Sequence, residues 1–201
     1  TDDAAEPPLT IERLLQAAED LAHEGRYAEA EEKYIAVVER DHLNLAAYRG
    51  LGALSLKRRE YRLAEEAYRY VLKLLKSKKF ASLNPDVDLD HLLATAYAEL
   101  GSVVEAREGM AAAGVHYRKA AALEPSNPRY LDVLLKISIL GKDKTLAQAT
   151  LQQLREADPQ NAKLAALQAE VDALPAVDPP SDPPPTPPSS PPVRRRSFPR
   201  Q

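Results

Sequence analysis

Residues 27–38, YAEAEEKYIAVV, and residues 61–72, YRLAEEAYRYVL, decide the fold, because the second stretch repeats the first at an offset of 34 residues. The matching positions are Tyr27 and Tyr61, Ala30 and Ala64, Glu31 and Glu65, Glu32 and Glu66, Tyr34 and Tyr68, and Val37 and Val71. The same offset relates Glu124-Pro125-Ser126-Asn127 to Asp158-Pro159-Gln160-Asn161. A fixed period of this length is typical of an array of helix-turn-helix units that bury their apolar faces against one another.

The composition favours helices and argues against several classes of function. Apolar residues, mostly Ala and Leu, make up 44% of the 201-residue chain, and charged residues make up 28%. This mixture is typical of helices rather than sheets. The chain contains no Cys, which excludes disulfides and thiolate chemistry. The net charge of −3 divides into +2 for the chain from Pro175 onwards and −5 for the rest. An acidic body argues against nucleic acid as a partner of the folded domain, because phosphate binding requires a basic surface.

The proline distribution divides the chain into three parts. Eleven of the 17 prolines follow Leu174, and a segment so rich in proline lacks the amide donors that helices and packed cores need. We therefore predict a linker at residues 1–8, a helical domain at residues 9–174 and a disordered, proline-rich basic tail at residues 175–201. No apolar run is long enough to span a membrane. We expect a cytoplasmic protein that associates with a membrane only through an N-terminal segment absent from this sequence.

Within the domain, apolar residues recur at helical spacing, as in the stripe Leu14, Ala17, Ala18 and Leu21. Gly25 interrupts this stripe before the next helical segment begins. Helices of this length are marginal alone in water, so their stability must come from packing against neighbours.

The order of small, aromatic and turn residues in these segments resembles the tetratricopeptide repeat. Each unit has a small residue in its first helix and Ala followed by an aromatic or large apolar residue in its second. The family's tryptophan is missing, and Leu14, Tyr48 and Leu131 stand in its place. The resemblance covers about residues 9–174 and implies an all-α, right-handed α-solenoid. Its expected parts are four helix pairs, at about 11–44, 45–78, 87–127 and 128–161, and a C-terminal capping helix at 162–173.

Two departures interrupt the period. Between the second and third pairs the register slips by eight residues, which predicts a longer surface loop at Ser77–Asp86. In an alternative interpretation this is a contact loop that uses Lys76, Lys78, Lys79 and Phe80.

The third pair carries seven further residues before Pro125. Because seven residues are almost two helical turns, such an insertion preserves the buried face of a helix. It predicts one long helix at about 103–123, with Ser102 and Glu105 as a capping box at its start. Gly109 and Gly114 could instead mark a kink or a close contact between helices.

No pattern for catalysis or metal binding is present in the sequence. His23, His42, His91 and His116 lack metal-ligand spacing, and no Cys accompanies them. Gly50-Leu51-Gly52 lies inside a helical pattern and follows no strand, so it does not form a phosphate-binding loop. We therefore predict no enzyme activity, no metal, no cofactor and no small-molecule substrate.

The resemblance implies a concave groove lined by the first helix of each pair, with a protein or peptide as the partner. Carried over by register, the candidate groove residues are Arg49, Ala53, Leu56, His91, Thr95, Arg129 and Lys136. Ala53 leaves room for a peptide backbone, and the basic members of the set could meet acidic side chains or a carboxylate. The alternative is that all seven are ordinary exposed residues. Binding of a chaperone's C-terminal carboxylate is set aside, because Leu15 and Glu19 stand where that subclass has Lys and Asn.

The tail ends in Arg194-Arg195-Arg196-Ser197, followed by Phe-Pro-Arg-Gln, and four interpretations remain open. It is the end of a solvated linker, a patch for anionic surfaces or nucleic acid, a ligand for a proline-reading domain, or a kinase site at Ser197. For the whole chain we predict a scaffold or adaptor that binds a partner segment in the groove. The alternative is a structural protein that self-associates through the long helix of the third pair.

Overall fold

The computed structural model describes residues 9–175, and within that range the chain forms ten helices and no strand. They are α1 Ile11–His23, α2 Tyr27–Arg40, α3 Leu45–Lys57, α4 Tyr61–Leu75, α5 Lys78–Leu83, α6 Leu89–Glu108, α7 Met110–Leu123, α8 Pro128–Leu140, α9 Lys144–Ala157 and α10 Leu164–Asp172. The pairs α1–α2, α3–α4, α6–α7 and α8–α9 contact one another in chain order, which is the predicted all-α solenoid. The predicted linker and the tail from residue 176, including Arg194, Arg195, Arg196 and Ser197, lie outside the described residues.

A capping side chain fixes the start of the first helix in every pair. Thr10, Asn44, Asp88 and Asn127 precede α1, α3, α6 and α8, and each accepts a hydrogen bond from a backbone amide two or three residues later. Such a cap satisfies an amide that helix geometry leaves unpaired and contributes about 1 kcal/mol. These helices therefore begin where the sequence supplies an oxygen acceptor.

In the first three pairs, a small residue of the first helix faces a large residue of the second, sixteen positions later in the chain. A Cβ atom on Gly52 would lie 2.9 Å from the ring of Tyr68, and one on Gly101 would lie 3.2 Å from the ring of Tyr117. In the first pair Ala18 and Tyr34 are buried in one core cluster. The close approach of these residues sets the register of the two helices in the first three pairs.

The turns inside the pairs are of two types. In the first, second and fourth pairs the turn contains one residue with positive φ: Gly25 at 79°, Arg59 at 61° and Lys142 at 55°. The amide of the following residue then donates to a carbonyl five residues earlier, as from Arg26 to Leu21 at 2.9 Å. In the third pair the single residue Gly109, at φ 93°, separates the two helices, and its amide donates to the carbonyl of Glu105.

The predicted continuous helix at 103–123 is therefore wrong, because α6 ends at Glu108 and α7 begins at Met110. The positive φ of Gly109 is incompatible with a right-handed helix. The extra residues lengthen α6 to 20 residues, against 13 in each of the other three first helices. The predicted capping box does not form either. Ser102 lies inside α6 and donates to the carbonyl of Glu99 at 2.7 Å.

The contact between Gly101 and Tyr117 shows where the repeat resumes. It corresponds to the contact between Gly52 and Tyr68, so the third unit starts at Ala94 just as the second starts at Leu45. Counted from Ala94, the 34-residue period continues without a break into the fourth unit. The two departures of the sequence are thus one insertion of 15 residues, at 79–93, placed before the third unit.

The insertion forms ordered structure rather than the predicted loop. It comprises most of α5, a connection at 84–88 and the beginning of α6. Ser77 caps α5 by accepting from the amide of Phe80 at 3.1 Å. Phe80 is only 7% exposed and packs in the core cluster with Leu75 and Leu100. This residue therefore holds the insertion against the solenoid.

The last helix, α10, covers the end of the fourth pair. Leu167 and Val171 are buried in one cluster with Leu151 and Leu154 of α9. Lys144 Nζ, at the start of α9, donates to the carbonyl oxygens of Asp172 and Leu174 at 3.0 and 2.8 Å. Between residues 9 and 175, none of the helices combines the length and apolar character needed to cross a membrane.

Candidate partner-binding site

A cavity of about 570 Å³ lies where the second, third and fourth pairs meet, and we call it the central cavity. Helix α3 supplies one lining residue, α6 supplies five, α7 supplies one, and the start of α8 with its cap supplies four. The lining residues are Arg49, His91, Thr95, Ala98, Glu99, Ser102, Tyr117, Asn127, Arg129, Tyr130 and Val133. Side chains from three successive units therefore converge on one space.

The central cavity brings together four of the seven candidate groove residues: Arg49, His91, Thr95 and Arg129. The other three lie elsewhere. Ala53 is exposed on α3, and Leu56 packs against the core cluster beneath it. Lys136 Nζ bonds to Asp132 Oδ2 of its own helix at 2.7 Å.

Arg49 is already engaged inside the chain. Its Nη2 donates to Glu99 Oε1 at 2.5 Å and its Nε donates to both carboxylate oxygens at 3.0 and 3.1 Å. The hydrogen bonds to Glu99 raise the pKa of Arg49, and burial opposes them only in part. The pair joins α3 to α6 across 50 positions of sequence. A partner carboxylate could therefore bind Arg49 only in competition with Glu99.

His91 also faces a carboxylate of the same chain. Its Nδ1 lies 2.6 Å from Glu124 Oε1, and Glu124 Oε2 accepts from Asn127 Nδ2 at 2.6 Å. Asn127 Oδ1 in turn accepts from the amide of Arg129. This series of contacts connects the end of the insertion to the start of α8 and forms one edge of the central cavity.

Tyrosine rings provide the buried part of the lining. The hydroxyl of Tyr117 donates to Glu105 Oε2 at 2.8 Å. Burial is the main cause that raises the pKa of Tyr117 and of Tyr130, so both remain neutral phenols at physiological pH. Together with Ala98 and Val133 they make one side of the central cavity apolar.

Arg129 differs from Arg49 and His91, the other basic residues of the lining. It is exposed, and within residues 9–175 its guanidinium forms no ion pair, whereas Arg49 and His91 each face a carboxylate. Exposed guanidinium groups bind carboxylates with directional hydrogen bonds. Arg129 is therefore the basic group of the central cavity that can accept an anionic partner at the smallest cost.

Sequence reasoning missed Glu99 and Ser102 of α6 and Tyr117 of α7. Counting back 34 residues from the cap residue Asn127 would have given position 93, so that the third unit starts at Ala94. Ser102 would then have been assigned to the position equivalent to Ala53. Glu99 and Tyr117 enter the central cavity through contacts that only the folded chain shows. In the part of the chain that the structure describes, no three His, Cys, Asp or Glu side chains are grouped as metal ligands.

Comparison with known proteins identifies the architecture. No family model matches the sequence, and no curated protein matches it. Among solved structures, MamA from Desulfovibrio magneticus RS-1, from residue 41 to its end, is 23% identical, with a TM-score of 0.55 over 76% of this chain and 78% of that one. A chain of the APC/C hetero-tetramer Cut9-Hcn1 is 15% identical, with a TM-score of 0.62 over 81% of this chain and only 30% of that one. At these identities the likeness concerns the fold alone.

Proposed function

We propose that this chain, which has the tetratricopeptide repeat fold, is a scaffold that binds a segment of a partner protein in the central cavity. The observation that carries the proposal is the convergence of lining residues from three successive units on one space of about 570 Å³. Pockets that bind small molecules commonly have volumes of roughly 300–1,000 Å³. The space accommodates a few side chains of a partner rather than a whole domain.

The chemistry of the lining suggests which segment binds. Arg129 offers an unpaired guanidinium, and Val133 and the ring of Tyr130 offer apolar surface on the same helix. The small side chains of Ala98 and Ser102 allow a backbone to approach α6. We therefore expect a partner segment with an acidic residue next to an apolar one.

The two other basic residues of the lining affect this preference. Because Glu99 pairs with Arg49 in the lining and Glu124 contacts His91 at its edge, carboxylates accompany these basic residues and the central cavity is not a basic surface. A run of acidic residues would meet Glu99 and Glu124 and lose free energy through like-charge repulsion. A single carboxylate near Arg129 is therefore preferred to a polyacidic segment.

The proposal can be tested by selecting displayed peptides of twelve random residues on the full chain. Enriched peptides should contain Asp or Glu beside an apolar residue, and Arg129→Ala should weaken their binding about tenfold, as expected for a charge-assisted hydrogen bond of 1.5 kcal/mol or more. Arg62→Ala is the matched control, because Arg62 is an exposed arginine of α4 outside the cavity lining. Glu99→Gln should strengthen binding severalfold by releasing Arg49. The proposal would be overturned by enriched peptides that bind the Arg129→Ala and Val133→Arg variants as tightly as they bind the natural chain.

Self-association through a long helix at 103–123 is not part of the proposal. That helix is divided at Gly109. Within 103–123 the one exposed large apolar side chain is Val115 of α7, at 45%. The continuous helix that suggested a self-associating structural protein is therefore absent.

A further inference from the structure

A second cavity, of about 470 Å³, separates the 79–93 insertion from the first two helix pairs, and we call it the insertion cleft. Leu15, Leu45 and Ala46 line it from α1 and α3. Phe80, Leu83 and Val87 line it from the insertion. The insertion cleft is thus an apolar space with two walls, and it shares no lining residue with the central cavity.

The wall formed by the insertion leaves apolar area in water. Leu83 is 62% exposed and Val87 is 39% exposed, although both border the cleft. Covering such side chains stabilises a protein in proportion to the apolar area removed from water. An apolar side chain inserted between Leu83 of one wall and Ala46 of the other would bury apolar area of both walls at once.

Carboxylates lie in the lining and next to it in the sequence. Asp41 lines the cleft, Asp86 and Asp88 flank the lining residue Val87 in the sequence, and Asp90 follows them. Asp41 and Asp88 accept backbone hydrogen bonds, and within residues 9–175 none of the four forms an ion pair. Lys78 and Lys79 are the basic residues of this segment and lie at the opposite end of α5. The surroundings of the cleft therefore favour an apolar group flanked by positive charges.

One segment of this chain has that composition. Arg194-Arg195-Arg196-Ser197-Phe198-Pro199-Arg200 places a single large apolar ring among four arginines, and it lies outside the described residues. We propose that this segment docks in the insertion cleft of its own chain, with Phe198 between the two apolar walls and the arginines at the carboxylates. The docking surface is separate from the partner-binding site proposed above.

The length of the chain permits this contact. From α10 to α3 there are six successive helix packings, through α9, α8, α7, α6 and α4. At 8–10 Å between packed axes the span is about 60 Å or less. Residues 176–197 can extend over about 70 Å at 3.1 Å per residue. Phe198 is therefore within reach of the cleft.

The absence of Cys in the natural chain allows a direct test by crosslinking. Ser82→Cys on α5 and Ser197→Cys are introduced together in the full chain and treated with a short bismaleimide. The control pair is Ser126→Cys with Ser197→Cys, because Ser126 is exposed and lies closer along the chain to the tail. The crosslink from position 82 should form severalfold faster than that from position 126. Equal rates, or a faster reaction at position 126, would overturn the proposal.

Variants of the cleft and of the segment distinguish specific docking from random collisions of the tail with position 82. Phe198→Ala should slow the crosslink from position 82 about tenfold, since it removes the apolar group that is buried. Leu83→Lys should slow the crosslink similarly. Leu140→Lys should leave it unchanged, and it is a matched control because Leu140, on α8, is 59% exposed but lies outside the cleft lining. Arg129→Ala should leave the rate unchanged, which keeps this proposal distinct from the partner-binding site. Crosslinks that join two chains instead of one would show that a second copy supplies the segment and would overturn docking within the chain.

Discussion

The second and third helix pairs share one internal contact but differ at both of their ends. In each, a glycine of the first helix faces a tyrosine ring sixteen residues later, Gly52 against Tyr68 and Gly101 against Tyr117. The second pair begins directly after the first and turns at Arg59, whereas the third follows the insertion and turns at Gly109. The glycine–tyrosine contact therefore sets the register, and the ends of a pair are free to change.

The difference between the two pairs also locates the features peculiar to this chain. His91 of the central cavity and Leu83 of the insertion cleft both belong to the insertion. Both cavities thus border the one place where the 34-residue period is interrupted.

The largest effect is expected from removing the tyrosine rings. Tyr68→Ala and Tyr117→Ala should each lower the free energy of unfolding by about 3 kcal/mol, because each leaves a cavity in the core. Urea denaturation monitored by circular dichroism measures both changes. Tyr117→Phe should cost about 1 kcal/mol through the lost hydrogen bond to Glu105. A cost for Tyr117→Ala well below that for Tyr68→Ala would mean that the third pair does not share the contact that organises the second.

The next effect concerns the turns. Gly109 has φ 93° and ψ 168°, a region that is essentially restricted to glycine, so Gly109→Ala should destabilise the protein by about 2 kcal/mol. Gly25→Ala, in the ordinary left-handed region at φ 79°, should cost about 1 kcal/mol. No atom lies within 4 Å of an added Cβ at either site, so backbone strain alone is compared. A Gly109→Ala variant that is more stable than the wild type would indicate that α6 and α7 fuse into one helix.

The smallest effect concerns pH. Burial, followed by Lys119 and Arg69, lowers the pKa of His116, and Glu65 opposes them only in part. As the pH falls, His116 is therefore protonated in the unfolded chain before it is protonated in the folded one. The free energy of unfolding should decrease as the pH drops below about 6.5, the ordinary histidine value, and should be retained above it. The variant His116→Ala removes the titrating group and introduces the residue that the second pair has at the equivalent position, Ala67. Urea denaturation between about pH 5 and pH 7 should give a shallower pH dependence for this variant, and an unchanged one would contradict the assignment.

The helical pairs were predictable because local patterns determine them. The offset between residues 27–38 and 61–72 gives the period, and cap residues such as Asn44 and Asn127 give the helix starts. The division of the third pair was not predictable in the same way. Counting forward from Tyr97 placed the extra residues in the second helix, whereas the contact between Gly101 and Tyr117 places them before Ala94.

The candidate site was predictable only in part, for a related reason. Register assigned Arg49, Thr95 and Arg129 to one face, and the central cavity contains all three. The availability of Arg49 depends on Glu99, which lies 50 residues away and meets it only after the third unit packs on the second. Lys136 is held by Asp132 one helical turn earlier, a pairing that the four-residue spacing already allowed.

The contacts of Lys144 with the carbonyl oxygens of Asp172 and Leu174 have a consequence for the chain that follows Leu174. They fix the point at which the chain leaves the solenoid, so residues 176–201 are tethered to a rigid origin rather than to a fraying helix end. A tether converts docking into an intramolecular event with an effective concentration on the order of millimolar. A segment that binds the insertion cleft only weakly as a free peptide would then occupy it for much of the time, and the length of the proline-rich stretch would set that occupancy together with the strength of the contact.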